Sequence, residues 1–257
     1  MNVSVGRILW AMKNKGILLF FGLCCLWISC ASDHLSQEVP PKETSIPVER
    51  VDTLGMMILY PNYSRVDLVC GTMPSKQDSS VILMVAGAYT GELLEEFKHK
   101  NIAGDHVSSG KRYKGYKCKR NTGAFVFYND KWDFLYKNYS YALDEAAKHG
   151  GAGFAQELII HDGVMKPTVR SDANQNTFRA LCSIGDRLCI IQSQKNVKFG
   201  DFKASLKKLG VTNAIYLDMG PGWNYGWYRG ENGLVHELFK KRTRYSTNWI
   251  TFYQQVE

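Results

Sequence analysis

Apolar residues along this chain come mostly in short runs of five or six, broken by Pro, Asn, Asp, Ser or Gly. That pattern predicts strands more often than helices. MMILY (56–60), RVDLVCG (65–71) and SSVILMVAGAY (79–89) are three such runs in succession. NTGAFVFYNDKWDFLYK (121–137) predicts a hairpin turning at Asn129-Asp130. FAQELIIHDGVMKP (154–167) predicts a strand and a turn, and FRALCSIGDRLCIIQS (178–193) two strands around Gly185-Asp186. NAIYLD (213–218) has the continuous apolar character of a buried strand, and STNWITFYQQ (246–255) predicts the last one.

Helical spacing occurs in three places. GELLEEFKHK (91–100) sets Leu93, Leu94 and Phe97 on one face. SYALDEAAKHGG (140–151) offers Ser140 as a cap and Gly150 as a stop, and DFKASLKKLG (201–210) offers Asp201 as N-cap, a Phe202-Leu206-Leu209 stripe and Gly210 as the stop. Strands outnumber helices and do not alternate with them. The expected fold is therefore α+β, a single domain built on a mixed, largely antiparallel sheet with a few helices, rather than a doubly wound one.

The first 50 residues do not fit this pattern. Lys13 and Lys15 precede an apolar run from Ile17 to Ile28, shorter than the about 20 residues of a membrane span, and Cys30 follows Ser29. Residues 1–29 are expected to be a signal peptide; Met12 opens a complete signal of its own. LWISCAS (26–32) looks like a loose lipobox, which makes Cys30 the lipidated first residue of a mature lipoprotein of the outer membrane or periplasm. Trp27 stands where a leucine is usual, so cleavage by the ordinary signal peptidase stays open. Residues 30–50, with EVPPKETSIPVE, have the composition of a tether, leaving 51–257 as the folded domain.

Composition narrows the partners. Of 32 basic residues, Arg7, Lys13 and Lys15 leave with the leader, so 29 face 24 acidic residues in a modest, scattered excess. KKRTR (240–244) is the densest run and suits a solvated surface; nucleic acid is not an expected partner, whereas an anionic substrate would be welcome. In an oxidising compartment Cys182 and Cys189 would face each other across the Gly185-Asp186 turn, either bridged or as buried free thiols.

Several chemistries are absent from the sequence. It has no GxSxG elbow, no HExxH and no GxxxxGK[ST], and its histidines show no metal-ligand spacing, so neither a metal nor a cofactor is expected. One constellation remains. Asp218 closes an apolar strand immediately before Gly220 and Gly222, and Arg179 interrupts an otherwise apolar strand upstream. A desolvated arginine needs a partner, either Asp218 itself or an anionic oxygen group such as phosphate.

With these elements in order, the chain resembles the phosphodiester glycosidase family over roughly Val51 to Tyr253. The resemblance rests on FAQELIIHDGVMKP, FRALCSIGDRLCIIQS and FGDFKASLKKLGVTNAIYLDMG. It implies an exported hydrolase of sugar-phosphate glycosidic bonds, with Asp218, Arg179 and Gln156 as catalytic residues and Tyr89 and Gly220 in the substrate pocket. Ala86, Gly87, Ala88 and Tyr89 fall where many members have Asn-Gly-Gly-aromatic, Met219 replaces a glycine, and PGWNYGWYR (221–229) replaces a short Gly-Ser turn. These departures imply a divergent bacterial branch and leave open a second reading, a glycan-binding surface lipoprotein with reduced catalysis.

The aromatics of that replaced turn have two readings of their own. Trp223, Tyr225, Trp227 and Tyr228 could cap the core. Interrupted by Gly222, Asn224 and Gly226, they could instead sit on a loop, where Trp223 and Trp227 would stack on a sugar beside Asp218 and Gly222. The catalytic reading as a whole requires the Arg179 guanidinium and the Asp218 carboxylate to open onto one cavity.

Overall fold

A computed structural model describes residues 46–91, 96–168, 170–220, 224–239 and 247–255. Its sheets run as the alternation predicts, and every strand pair among the described residues is antiparallel, apart from a single parallel bridge between Ala103 and Tyr116. The leader, Cys30 and most of the tether lie outside these residues. The first strand spans Val48–Thr53.

The described residues form three sheets. The first has seven strands, with Arg179–Ile184 between Arg187–Ser193 and Asn213–Tyr216 at its middle. The second has five, centred on Val81–Ala86, which pairs with Asn248–Tyr253 on one side and Gly226–Arg229 on the other. The third also has five and contains the hairpin Gly123–Tyr128 and Lys131–Tyr136. That hairpin turns at Asn129 and Asp130, both with positive φ (50° and 58°), the backbone that matches strand twist in a two-residue turn. All three sheets send residues into one core, among them Leu59 and Leu181, Leu68 and Ile82, and Phe125 and Phe154.

Among the described residues, two α-helices pack on the sheets. Ser140–Lys148 lays Ala142, Leu143 and Ala146 on Val107 and Val126 of the third sheet. Phe199–Lys208 lays Phe199, Phe202 and Leu206 on Ala180, Cys182, Ala214 and Tyr216 of the first. Both stop at a glycine with positive φ, Gly150 (69°) and Gly210 (76°), as expected.

Their starts differ from the sequence expectation. Ser140 lies inside its helix, behind Tyr139 at the cap position. The second helix begins two residues before Asp201, and its free amide at Gly200 is capped from a distance by Asp172 Oδ1, 2.6 Å away. A tertiary cap of this kind leaves no local signature. The helical spacing at Leu93 and Leu94 lies outside the described residues; its downstream end is only a short 3-10 turn, His99–Asn101. Cys182 and Cys189 do face each other in register, yet both are free thiols inside the apolar cluster beneath the second helix.

Candidate functional site

Asp218 stands where the first sheet meets the second. Beyond Tyr216 the chain leaves the regular strand: the Leu217 amide donates to Arg179 O (3.0 Å) and the Asp218 amide to Gly87 O (2.9 Å), just past the end of the Val81–Ala86 strand. The carboxylate is then held by two backbone amides. Thr90 N–H donates to Oδ2 (3.2 Å) and Gly220 N–H to Oδ1 (3.1 Å). Asp218 is 5% exposed and lines an open cavity of about 340 Å³ together with Tyr89, Thr90, Tyr116, Arg120 and Gly220. Burial pushes its pKa up to about 6, opposed by the two amides and by the charge of Arg170.

The loop that supplies Thr90 is clamped from the last strand. Asn248 accepts a hydrogen bond from Ala88 N–H through Oδ1 (2.7 Å) and donates through Nδ2 to Ala88 O (2.9 Å). A Cβ on Gly87 would come within 2.6 Å of Asn248 Oδ1 and 2.9 Å of Leu68 Cδ1, so glycine is required there by close packing.

Arg179 is not at the cavity. It is fully buried, with Nε and Nη2 donating to Gln192 Oε1 (2.9 and 2.6 Å) and Nη2 also to Asn224 O (3.1 Å). Alternation explains this: Arg179 pairs with Gln192 and shares the face of Leu181, which points into the inner core, whereas Ala180 points toward the second helix. Burial lowers its pKa to about 9. The expectation that Arg179 and Asp218 open onto a common cavity is corrected by this arrangement.

Gln156 is not among the residues lining the cavity either. It is fully buried at the end of the Ala152–Gln156 strand, with Oε1 accepting from Glu157 N–H (3.0 Å). The residue after it was overlooked in the sequence. Glu157 is buried, accepts from Thr168 Oγ and pairs with Arg170, whose Nε is 2.8 Å from Glu157 Oε2. The Arg170 guanidinium in turn lies 3.7 Å over the Tyr216 ring and 5.3 Å from that of Tyr89. An acid directly before the apolar run LII was the signal for this pair, because a buried carboxylate demands a partner.

Four buried donors around this region find no hydrogen-bond partner among the described residues: the Tyr89 hydroxyl, Gln156 Nε2, Arg170 Nη2 and Arg179 Nη1. Buried polar groups are rarely left so. Arg120 adds an exposed cation on the cavity wall itself. It was missed because it sits in a basic stretch, KCKR (117–120), that looks like ordinary solvated surface.

The expected aromatic platform is also corrected. Gly222 and Trp223 lie outside the described residues. Trp227 is 0% exposed and belongs to the Gly226–Arg229 strand, opposite Met84 and packed with Tyr225 and Trp249; Tyr228 faces the other way, opposite Leu83, into the inner core. Both faces of this strand are covered, so its rings support the second sheet and cannot reach a sugar. No sequence spacing joins Cys70, His99 and His106, yet the fold brings them together in space.

These features define an α+β domain of antiparallel sheets with an amide-held carboxylate in a cavity at a sheet junction. No family model matches the chain, and no curated protein matches it by sequence. Among solved structures it is similar to the catalytic domain of zebrafish N-acetylglucosamine-1-phosphodiester alpha-N-acetylglucosaminidase, in a form auto-inhibited by its pro-peptide. The likeness covers 82% of each chain with a TM-score of 0.56 at 13% identity, a distant relation in fold.

Proposed function

We propose that this protein is a hydrolase of glycosyl-phosphodiester bonds, with Asp218 as its working carboxylate. The observation that carries the reading is that Asp218 is buried, clamped by the Thr90 and Gly220 amides, and shares a cavity with Arg120. The fold shared with a phosphodiester glycosidase supports it.

Cleavage of a sugar-1-phosphate bond builds positive charge at the anomeric carbon and negative charge on the departing phosphate. Ionised Asp218 answers the first charge, either by bonding to the anomeric carbon or by stabilising it electrostatically. Its pKa of about 6 leaves it ionised at neutral pH, and the two backbone amides hold it in place for the developing charge. Arg120 answers the second charge from the cavity wall. Phosphate leaves readily, which suits a cavity where Asp218 is the carboxylate among the lining residues. On the leader reading the enzyme works in the cell envelope, tethered through a lipid on Cys30, and its substrate is a carbohydrate of that compartment.

The test is release of free sugar from a panel of sugar-1-phosphodiesters and UDP-sugars. Wild type should turn over at least one of them, and Asp218→Asn should fold but not turn over. One observation favours a second reading: Ala86 stands where the resembling family carries a polar Asn, which suits a glycan-binding surface protein with little catalysis. Saturable binding of the same panel without release would select it.

A further inference from the structure

Away from Asp218, the fold gathers three metal-ligand side chains from separate segments. Cys70 ends the strand Arg65–Cys70, His99 opens the 3-10 turn His99–Asn101, and His106 begins the strand His106–Ser108. One donor atom of each lies within 4.8 Å of the other two, and His99 Nδ1 is 2.9 Å from His106 Nε2. None of the three lines the Asp218 cavity.

The orientation of the rings is set from behind. His106 Nδ1 lies 3.2 Å from Gly104 O. A carbonyl oxygen only accepts, so Nδ1 carries the proton and Nε2 presents its lone pair to the cluster. This is the outer-shell arrangement that metal-ligating histidines use. The His99 ring is fixed in its plane by stacking on Tyr113, with centroids 3.4 Å apart and planes 6° off parallel, and by the edge of Phe97. A hydrogen bond between the two imidazoles accounts for their approach; the Cys70 sulfur, whose thiol donates to Leu68 O (3.7 Å), adds a third donor atom at the same point.

We propose that Cys70, His99 and His106 form a binding site for a zinc-class divalent cation, with three protein ligands and a fourth position open. One thiolate and two imidazoles select a borderline-soft ion over calcium or magnesium, which take oxygen donors. Tetrahedral zinc, with nitrogen at about 2.1 Å and sulfur at about 2.3 Å, holds two ring nitrogens roughly 3.4 Å apart. The pair at 2.9 Å needs to open by about half an ångström, within reach of side-chain rotation. On binding, the Cys70 S–H bond breaks, a sulfur–metal bond forms, and one proton passes to solvent for each ion.

The site has structural leverage on the cavity. His99 and His106 flank Asn101–Gly104, and that segment holds two pieces of cavity wall: Gly91 N–H donates to Asn101 O (2.7 Å) and Tyr116 N–H to Ile102 O (3.0 Å). A cation on Cys70 would therefore fasten this segment to the second sheet.

The test is Co²⁺ titration of the fully reduced protein, followed by absorbance, with Zn²⁺ added in competition. Wild type should take one equivalent of Co²⁺, with visible bands of tetrahedral intensity and a near-ultraviolet thiolate-to-cobalt band, both erased by Zn²⁺. Cys70→Ser should lose the thiolate band. His99→Gln, a change at a half-buried position that the fold should tolerate, should weaken binding more than about tenfold. Cys118→Ser, at the free thiol beside the Asp218 cavity, should leave the spectrum unchanged. The proposal is overturned if reduced wild type takes up no Co²⁺ or Zn²⁺, or if the thiolate band survives Cys70→Ser.

Discussion

The side-chain amide of Asn248 meets the backbone of Ala88 in both directions, accepting from its N–H at 2.7 Å and donating to its carbonyl at 2.9 Å. This reciprocal clamp fixes the Gly87–Thr90 turn, and through the Thr90 amide it fixes Asp218. Asn248→Ala leaves a buried donor and a buried acceptor unpaired, each costing about 1–3 kcal/mol. We expect urea unfolding to show a loss of about 2–4 kcal/mol, with activity falling further than the folded fraction does.

Asp218 trades stability for function, and the trade has a pH signature. Its folded pKa, raised to about 6, lies above the ordinary value of 3.8, so the fold prefers the protonated acid. That preference stabilises fully below pH 3.8 and is lost as pH rises through 6. Asp218→Asn removes the buried charge. At pH 7 the variant should be more stable than wild type by on the order of 2 kcal/mol, the gain being limited because one amide loses its acceptor. The gap should close toward pH 4, and thermal melts across pH 4–8 check this. A gap that stays constant with pH would refute the buried-charge account.

The same titration governs turnover. If ionised Asp218 is the working form, kcat/KM for a sugar-1-phosphodiester should rise with pH through about 6 and then level off. A profile that falls through 6 would make Asp218 a proton donor instead.

Arg120 and Arg179 should separate cleanly under mutation. Arg120 is exposed on the cavity wall, so Arg120→Ala should raise KM for phosphodiester substrates about tenfold without moving the melting temperature. Arg179→Leu leaves Gln192 Oε1 and Asn224 O without their buried donor, so it should act on the melting temperature first. Equal effects of the two variants on KM would contradict these positions.

Trp227→Ala empties a filled space against Met84, Tyr225 and Trp249, and should cost about 3–5 kcal/mol by denaturant unfolding. Trp227→Phe should recover much of that stability. Sugar affinity per folded molecule should be the same in all three proteins; a selective loss of affinity would restore a stacking role.

The long apolar strands, the Asn129-Asp130 and Gly185-Asp186 turns and the glycine stops of both helices were legible in the sequence, whereas the strands Val48–Thr53, His106–Ser108, Lys111–Tyr113, Gly226–Arg229 and Val235–Glu237 were not. These depend on interactions within a few residues: alternation, positive-φ backbone and the loss of helical hydrogen bonding. Asp218 was legible as an acid closing an apolar strand. Its neighbours were not. Period-2 alternation shows that Arg179 and Ala180 point to opposite faces, but not which face opens to a cavity; sheet packing turned Arg179 inward to Gln192 and brought Arg120, 98 positions before Asp218, to the wall instead. Likewise, no spacing rule joins Cys70 to His99 and His106, because their approach depends on where the second and third sheets meet. The sequence alone determined the long apolar strands and their tight turns, since those preferences are local; the short strands and Gly226–Arg229 took their form from the sheets they joined. Which side chains share a space was decided only by tertiary structure, because burial belongs to the partner surface as much as to the residue.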